Sequence, residues 1–86
     1  MQDNLKVDLT TLFLSISSAA FMALGVAPQP GDPIEVNLDW AKHNIDLLEL
    51  LKEKTTGNRT PEEDALLGHL LFETRMKFVE LQRSGK

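Results

Sequence analysis

Apolar residues recur at intervals of three and four positions in three stretches of the chain, which is the spacing of one face of an α-helix. The first stretch begins near Leu9 and ends before Gly25, the second follows Asn37, and the third begins at Pro61. Between these stretches the periodicity stops. The pattern predicts an all-α fold of three helices, at about residues 8–24, 38–56 and 61–82.

Proline and glycine mark the break between the first two helices. Gly25 is expected to end helix 1, since glycine tolerates the left-handed conformation that follows a helix C-terminus. The residues after it include three prolines, which are incompatible with a regular helix. We therefore expect residues 25–36 to form a Pro/Gly linker within a single helical domain, with short tails at residues 1–7 and 83–86.

The second break is a short turn followed by a strong helix-start signal. Gly57 is expected to end helix 2. Thr60, Pro61 and Glu63 occupy the N-cap, N1 and N3 positions of a capping box, in which the threonine hydroxyl and the glutamate carboxylate accept hydrogen bonds from main-chain N–H groups. Because so few residues separate helices 2 and 3, they should pack antiparallel as an αα-hairpin.

No ionisable side chain occurs from Leu9 to Gly31, a run of 23 residues. A helix that is apolar on most sides must be covered on most sides, and two helices of the same chain can hardly surround it. Small side chains would let another helix approach closely. They form a row at four-residue steps, here called the small-residue row: Thr11, Ser15, Ala19 and Ala23. We therefore expect a second copy of the chain to supply the cover.

Helix 3 has a similar surplus of apolar surface. Its main stripe, from Leu67 to Leu81, is expected to face helix 2, and a second strip that includes Phe72 and Met76 lies on a different side. The chain is thus expected to homo-oligomerise as an intersubunit helical bundle, most simply a dimer. An unidentified protein that binds the same surface is an alternative partner. The predicted interface residues are Leu12, Ser15, Ile16, Ala19, Ala20, Ala23, Phe72, Met76 and Val79.

Two polar residues interrupt the apolar surfaces of helices 2 and 3. Asn44 lies within an apolar arc, where a buried amide either fixes register or oligomeric state or binds a nearby loop backbone. Arg75 lies between the two strips of helix 3 and is expected to be partly buried and paired with Asp46 or Glu49. The residues expected to have structural roles are Asn44, Gly57, Thr60, Glu63 and Arg75.

Composition narrows the functional classes. A chain of 86 residues buries only a marginal core, and without cysteine it has no disulfides to stabilise that core. Self-association is therefore the expected source of additional stability. The net charge of −4 and the scattered Lys and Arg residues argue against nucleic acid as a partner. A cytoplasmic location is expected, since the first residues lack the basic region of a secretory signal. The alternative is a membrane-associated protein with residues 9–27 as an apolar anchor, although serines and threonines dilute that stretch.

The chain contains no recognisable catalytic or cofactor-binding motif, so we expect a non-enzymatic protein without a cofactor. His43 and His69 are the two histidines. Each lies one helical turn from a carboxylate, Asp39 or Glu73, which keeps a metal-binding helical protein as a further alternative. Both pairs lie on polar faces, whereas metal sites of helical bundles project inward. We therefore expect solvated surface histidines and no metal site.

Several segments occur together in an order that is typical of one family. They are Phe21 to Pro30 (FMALGVAPQP), Ala41 to Leu51, Lys54 to Asn58 (KTTGN), Thr60 to Glu63 (TPEE) and Leu70 to Glu80. In this combination the chain resembles a family of short bacterial proteins catalogued as domain of unknown function 1844. The resemblance implies a bacterial cytosolic protein and brings no assigned activity, cofactor or catalytic residue. The family commonly has an apolar residue at the position of Arg59, where this chain departs from it.

Overall fold

The computed structural model describes residues 7–26 and 36–85, and its regular structure consists of three α-helices. Helix α1 spans Leu9–Ala23, α2 spans Leu38–Lys54 and α3 spans Pro61–Gly85. These helices pack against one another, and no strand occurs in this part of the chain. The predicted all-α class with three helices is confirmed. Most of the predicted linker and of the N-terminal tail lies outside the described residues.

The end of α3 differs from the prediction. The helix continues to Gly85, three residues beyond the expected end near Gln82, so residues 83–85 are helical and not a tail. No glycine or proline occurs between the predicted end at Gln82 and Gly85. The hydroxyl of Ser84 also donates to the Glu80 carbonyl at 3.1 Å, one turn back along the same helix.

Local hydrogen bonds fix both ends of α1. The carboxylate of Asp8 accepts the Thr11 N–H at 2.8 Å and caps the N-terminus. At the other end Gly25 has a φ of 88°, and the Val26 N–H donates to the Phe21 carbonyl at 2.9 Å. Together with a bond from the Gly25 N–H to the Met22 carbonyl, this is a Schellman motif. Gly25 therefore ends α1 as predicted.

Local signals also define the α2–α3 hairpin. The side chain of Asn37 accepts the Trp40 N–H at 3.0 Å and caps α2. The Glu63 N–H donates to the Thr60 hydroxyl at 3.1 Å, while the Thr60 N–H donates to the Glu63 carboxylate at 2.8 Å. The capping box is thus reciprocal, as predicted. Gly57, in the turn between the helices, has a φ of 85°.

The core lies where all three helices meet. Its central cluster of buried side chains comes from α1, α2 and α3 in similar numbers: Phe13, Ala20, Ile45, Leu48, Leu67, Leu70 and Leu71. Burying one such leucine or phenylalanine side chain contributes roughly 1.5–3 kcal/mol. A smaller cluster of Ala23, Leu24 and Ala41 closes the end of α1, and Phe78 packs against both clusters. The main stripe of α3 thus packs against α2, as predicted, and also against α1.

The arrangement of the helices is thin. The Cα atoms extend over 39 × 33 × 17 Å. Two helices in contact span about 13–15 Å between their outer Cα atoms, from a helix radius near 2.3 Å and an interaxial distance of 8–10 Å. The smallest dimension therefore corresponds to about two layers of helix. In so thin an arrangement, each helix keeps one side that no other helix covers.

Two arginine–carboxylate pairs join α2 or its C-terminal turn to α3. The Arg59 guanidinium donates to the Lys52 carbonyl at 2.7 Å and contacts the Asp64 carboxylate at 2.8 Å, and its side chain is only 12% exposed. It thereby satisfies a carbonyl at the C-terminus of α2 and pairs with an acid in the first turn of α3. The second pair joins Arg75 to Glu49, with side chains 50% and 39% exposed. This pairing confirms one of the two predicted partners of Arg75.

Gly57→Ala should lower the free energy of unfolding by about 1 kcal/mol, because an L-residue at this positive φ is strained. A Cβ at this position would meet no atom within 4 Å, so backbone conformation and not space requires glycine. Gly68→Ala is the matched control. It lies inside α3, is equally open, and should stabilise by about 0.5–1 kcal/mol. Urea unfolding at one protein concentration measures both, and effects of the same sign would contradict this account.

Arg59→Met should cost about 2 kcal/mol, because it removes a largely buried, charge-assisted set of hydrogen bonds at the hairpin turn. Arg75→Met is the matched control, since it breaks a pair of the same chemistry at a half-exposed position. Solvent screening limits the Arg75 loss to less than about 1 kcal/mol. Chemical unfolding of the two variants compares them, and an equal or larger loss at Arg75 would contradict the assigned role of Arg59.

Candidate interaction surfaces

The side of α1 that points away from the core carries no charge. We call it the outer face of α1, and it consists of Thr11, Leu12, Leu14, Ser15, Ser18, Ala19 and Met22. The exposed fractions of its large apolar residues are 42% for Leu12, 44% for Leu14 and 55% for Met22. A helix face that points to solvent normally carries charged or polar residues. This face is therefore a candidate for contact with another molecule.

A second apolar surface lies on α3, on the side opposite to the core. Phe72, Met76 and Val79 are 59%, 56% and 44% exposed, and Ala65, about two turns before Phe72, is also exposed. With a spacing of seven, four and three residues they form one strip along the helix. The strip borders a shallow groove that also includes Lys52 and Gly68. These residues are the second strip predicted from the sequence, and we call them the α3 strip.

The predicted interface residues of α1 divide between the two sides of the helix. Ala20 and Ala23 are 0% and 6% exposed and belong to the chain's own core, against which Ile16 also packs. Leu12 and Ser15 are exposed, and Ala19 is half-buried. Steps of four residues advance by about 40° around an α-helix, so the small-residue row turns from solvent at Ser15 into the core at Ala23. The surface available to another molecule is therefore narrower than predicted.

The buried polar side chains serve the helices that carry them. Ser17 donates to the Leu14 carbonyl at 3.0 Å, and Thr74, which is fully buried, donates to the Leu70 carbonyl at 2.8 Å. The Asn44 amide is 4% exposed and donates to the Trp40 carbonyl one turn back in α2 at 3.0 Å. That carbonyl belongs to a helix and not to a loop. Whether Asn44 also fixes register or oligomeric state stays a prediction.

The aromatic pair at the start of α2 could not be found from the periodicity alone. Trp40 falls in the apolar arc of α2 by spacing, yet its side chain is 53% exposed and stacks on His43 with ring centroids 5.0 Å apart. Because the two residues are three positions apart on one helix, their contact is local. His43 is thus held on the surface by an aromatic neighbour, and His69 is exposed on α3.

Two further features of the structure concern the metal-binding and the membrane-associated alternatives. Among residues 7–26 and 36–85, no three His, Asp or Glu side chains lie together in a group suited to a metal ion. In the same part of the chain, no helix has the length and the apolar character needed to cross a bilayer.

The fold and its surfaces define a class of protein: a small all-helical domain in which one uncharged helix packs on a helical hairpin. The model of the family described as "Domain of unknown function (DUF1844)" matches residues 6–80. The chain belongs to this family. No curated protein and no solved structure matches it significantly.

Thr74→Val should change the free energy of unfolding by less than about 1 kcal/mol. The variant keeps the branched shape of a fully buried side chain. The Leu70 and Leu71 carbonyls lose the hydrogen bond from the hydroxyl but still accept main-chain hydrogen bonds within α3. Thr74→Ala is the control for packing, and it should cost more because it leaves a small cavity. Thermal unfolding compares the two. A large loss in Thr74→Val would show that the hydroxyl has a further role.

Proposed function

We propose that this protein is a non-enzymatic protein–protein interaction module that acts as a homo-oligomer, most simply a dimer, with the outer face of α1 in the contact. The observation that carries the proposal is the combination of exposed leucine and methionine side chains with a complete lack of charge on this face. Exposure of such a surface to water is unfavourable, and its burial against another apolar surface lowers the free energy.

The other helices provide an internal comparison. The outward side of α2 carries Asp39, Lys42, Asp46 and Glu53, all of them exposed, and Lys42 forms an ion pair with Asp46 at 2.9 Å. This is the usual composition of a solvated helix face. The outer face of α1 is equally remote from the core and has no such residue, so its composition is better suited to a covered position.

Small residues on the same face support a helix as the covering element. Ser15, Ser18 and Ala19 place little bulk between the leucines and Met22, which permits an interaxial distance near the lower end of the usual 8–10 Å. A second copy of α1 presents the same combination of small and large side chains. It therefore satisfies the self-complementarity that a symmetric dimer requires.

The non-enzymatic part of the proposal is supported by the use of the buried polar groups. Ser17, Asn44 and Thr74 are the buried polar side chains among the described residues, and each donates to a carbonyl of its own helix. They contribute to the structure of the helices and leave no convergent set of polar atoms there. We further propose a bacterial cytoplasmic location, which rests on the family resemblance.

Ser15→Lys should weaken self-association at least about tenfold, because it brings an unpaired charge into the contact at a cost above about 1.4 kcal/mol. Asn58→Lys is the matched control, since it adds the same charge at an exposed position in the α2–α3 turn and should leave association unchanged. Sedimentation equilibrium over a range of micromolar concentrations gives the mass of the wild-type chain and of both variants.

Each outcome of this experiment bears on the proposal. A monomeric wild-type chain at these concentrations would overturn it. In that case, pelleting with lipid vesicles and co-purification from a bacterial lysate would test membrane association and an unrelated protein partner. A wild-type oligomer that Ser15→Lys leaves intact would remove the outer face of α1 from the contact.

A further inference from the structure

The N-terminal half of the outer face of α1 contains a groove whose walls are mainly apolar. The residues that line it are Val7, Asp8, Leu9, Thr11, Leu12 and Ser15. Those at positions 8, 11, 12 and 15 follow the spacing i, i+3, i+4 and i+7 on the helix. In knobs-into-holes packing, four residues with this spacing form the hole that receives one side chain of a facing helix. The groove is therefore suited to a side chain from another helix.

The C-terminal half of the same face carries a side chain of the matching kind. Met22 is 55% exposed, more than the other large apolar residues of this face. Its unbranched thioether chain is flexible and fills irregular gaps. Ser15 and Ser18, between Met22 and the groove, are small and exposed. The outer face thus has a hole near one end and a knob near the other, about 16 Å apart along the helix.

We propose that Met22 of a second copy of this chain fills the groove, in an antiparallel pair of α1 helices whose two-fold axis passes between Ser15 and Ser18. In this pairing Met22 of each copy lies opposite Thr11 of the other. The small serines meet at the centre, where the two helices approach most closely. The inference deepens the proposed function and rests on it, since it specifies the direction and the register of the contact.

One symmetry operation satisfies the knob and the hole together, which favours a second copy over an unrelated helix as the occupant. A two-fold axis at the middle of the face brings the knob of each copy onto the hole of the other, so the contact is self-complementary. An unrelated helix would need a knob and a hole of its own at the same separation of about 16 Å. The uncharged outer face of this chain already supplies both.

The antiparallel direction follows from the positions of the knob and the hole. In a parallel pair equal positions lie side by side, so Met22 would meet its own counterpart and both grooves would stay open. The carboxylate of Asp8, which caps α1, would also lie beside the same carboxylate of the second copy, and like charges repel. In the antiparallel pair each carboxylate approaches the C-terminus of the other helix, where the macrodipole amounts to only about half a charge.

Disulfide trapping tests the direction and the register. The natural chain has no cysteine, so each introduced thiol is unique. Thr11→Cys and Met22→Cys are prepared separately, mixed under reducing conditions to exchange subunits, and then oxidised. In the antiparallel pair, residue 11 of one copy lies opposite residue 22 of the other, within the roughly 7 Å between Cα atoms that a disulfide requires. Each of these residues lies eleven positions, or about 16 Å, from its own counterpart.

The expected result is a cross-linked species that contains one Thr11→Cys chain and one Met22→Cys chain, with little cross-linking of either variant alone. Glu53→Cys, on the exposed side of α2, measures the background of random collisions. Self-cross-linking of either α1 variant above that background would overturn the antiparallel pairing.

An exchange of the two side chains tests the same register without cysteine. Thr11→Met fills the groove and Met22→Thr removes the knob, so each substitution alone should weaken self-association about tenfold in sedimentation equilibrium. The double variant again places methionine opposite threonine, and its association should recover to within about threefold of the wild type. In a parallel pair positions 11 and 22 do not meet. The two losses would then multiply in the double variant, and this outcome would overturn the proposed pairing.

The same measurements separate this inference from the proposal on which it rests. If the mixture does not cross-link, the double variant does not recover and the wild-type chain still sediments as an oligomer, the α1 pairing is wrong and the proposed function stands. If the wild-type chain is a monomer, both fail together.

Discussion

A helix without charges has only one helical hairpin to pack against, and the rest of the structure follows from this constraint. The core side of α1 supplies Phe13 and Ala20 to the central cluster, where they cover Leu48 of α2 and Leu67 of α3. Without α1 the apolar side of the hairpin would lie open. With α1 in place the molecule is about two helix layers thick, so closing the core exposes the outer face of α1. Core formation and the surplus of apolar surface are therefore two consequences of the same packing.

The elements that the sequence predicts well are those whose physics is local. Gly25 and the pair Thr60 and Glu63 act through main-chain groups at most four residues away. The sequence around these residues is therefore enough to predict where α1 ends and α3 begins. The pairing of Arg75 with a carboxylate of α2 was also predictable, although Glu49 could not be separated from Asp46. Helical periodicity places Arg75, Asp46 and Glu49 on one side of the hairpin. Which of the two carboxylates pairs with Arg75 depends on the rotation of α2 about its own axis.

Other features depend on how the helices cross, and a one-dimensional pattern does not contain that information. Ala19 and Ala23 belong to the same small-residue row, yet one borders the surface and the other is buried, because the packing of α1 on the hairpin decides which part of this winding row faces the core. Arg59 is another example. Only the turn geometry brings its guanidinium onto the Lys52 carbonyl and the Asp64 carboxylate. A charged residue there satisfies polar groups that an apolar residue would leave to solvent.

The two apolar surfaces, taken together, limit the assemblies that the chain can form. A two-fold symmetric contact uses the same patch on both copies. If one such contact includes both the outer face of α1 and the α3 strip, the assembly closes as a dimer. If each surface forms its own two-fold contact, every chain has two partners, and the assembly is either a closed tetramer with three perpendicular two-fold axes or an open chain of copies. The thin shape of the molecule keeps both surfaces accessible, so the angle between them decides the outcome. The mass of the particle in solution therefore reports whether the chain associates and how the two surfaces are oriented relative to each other.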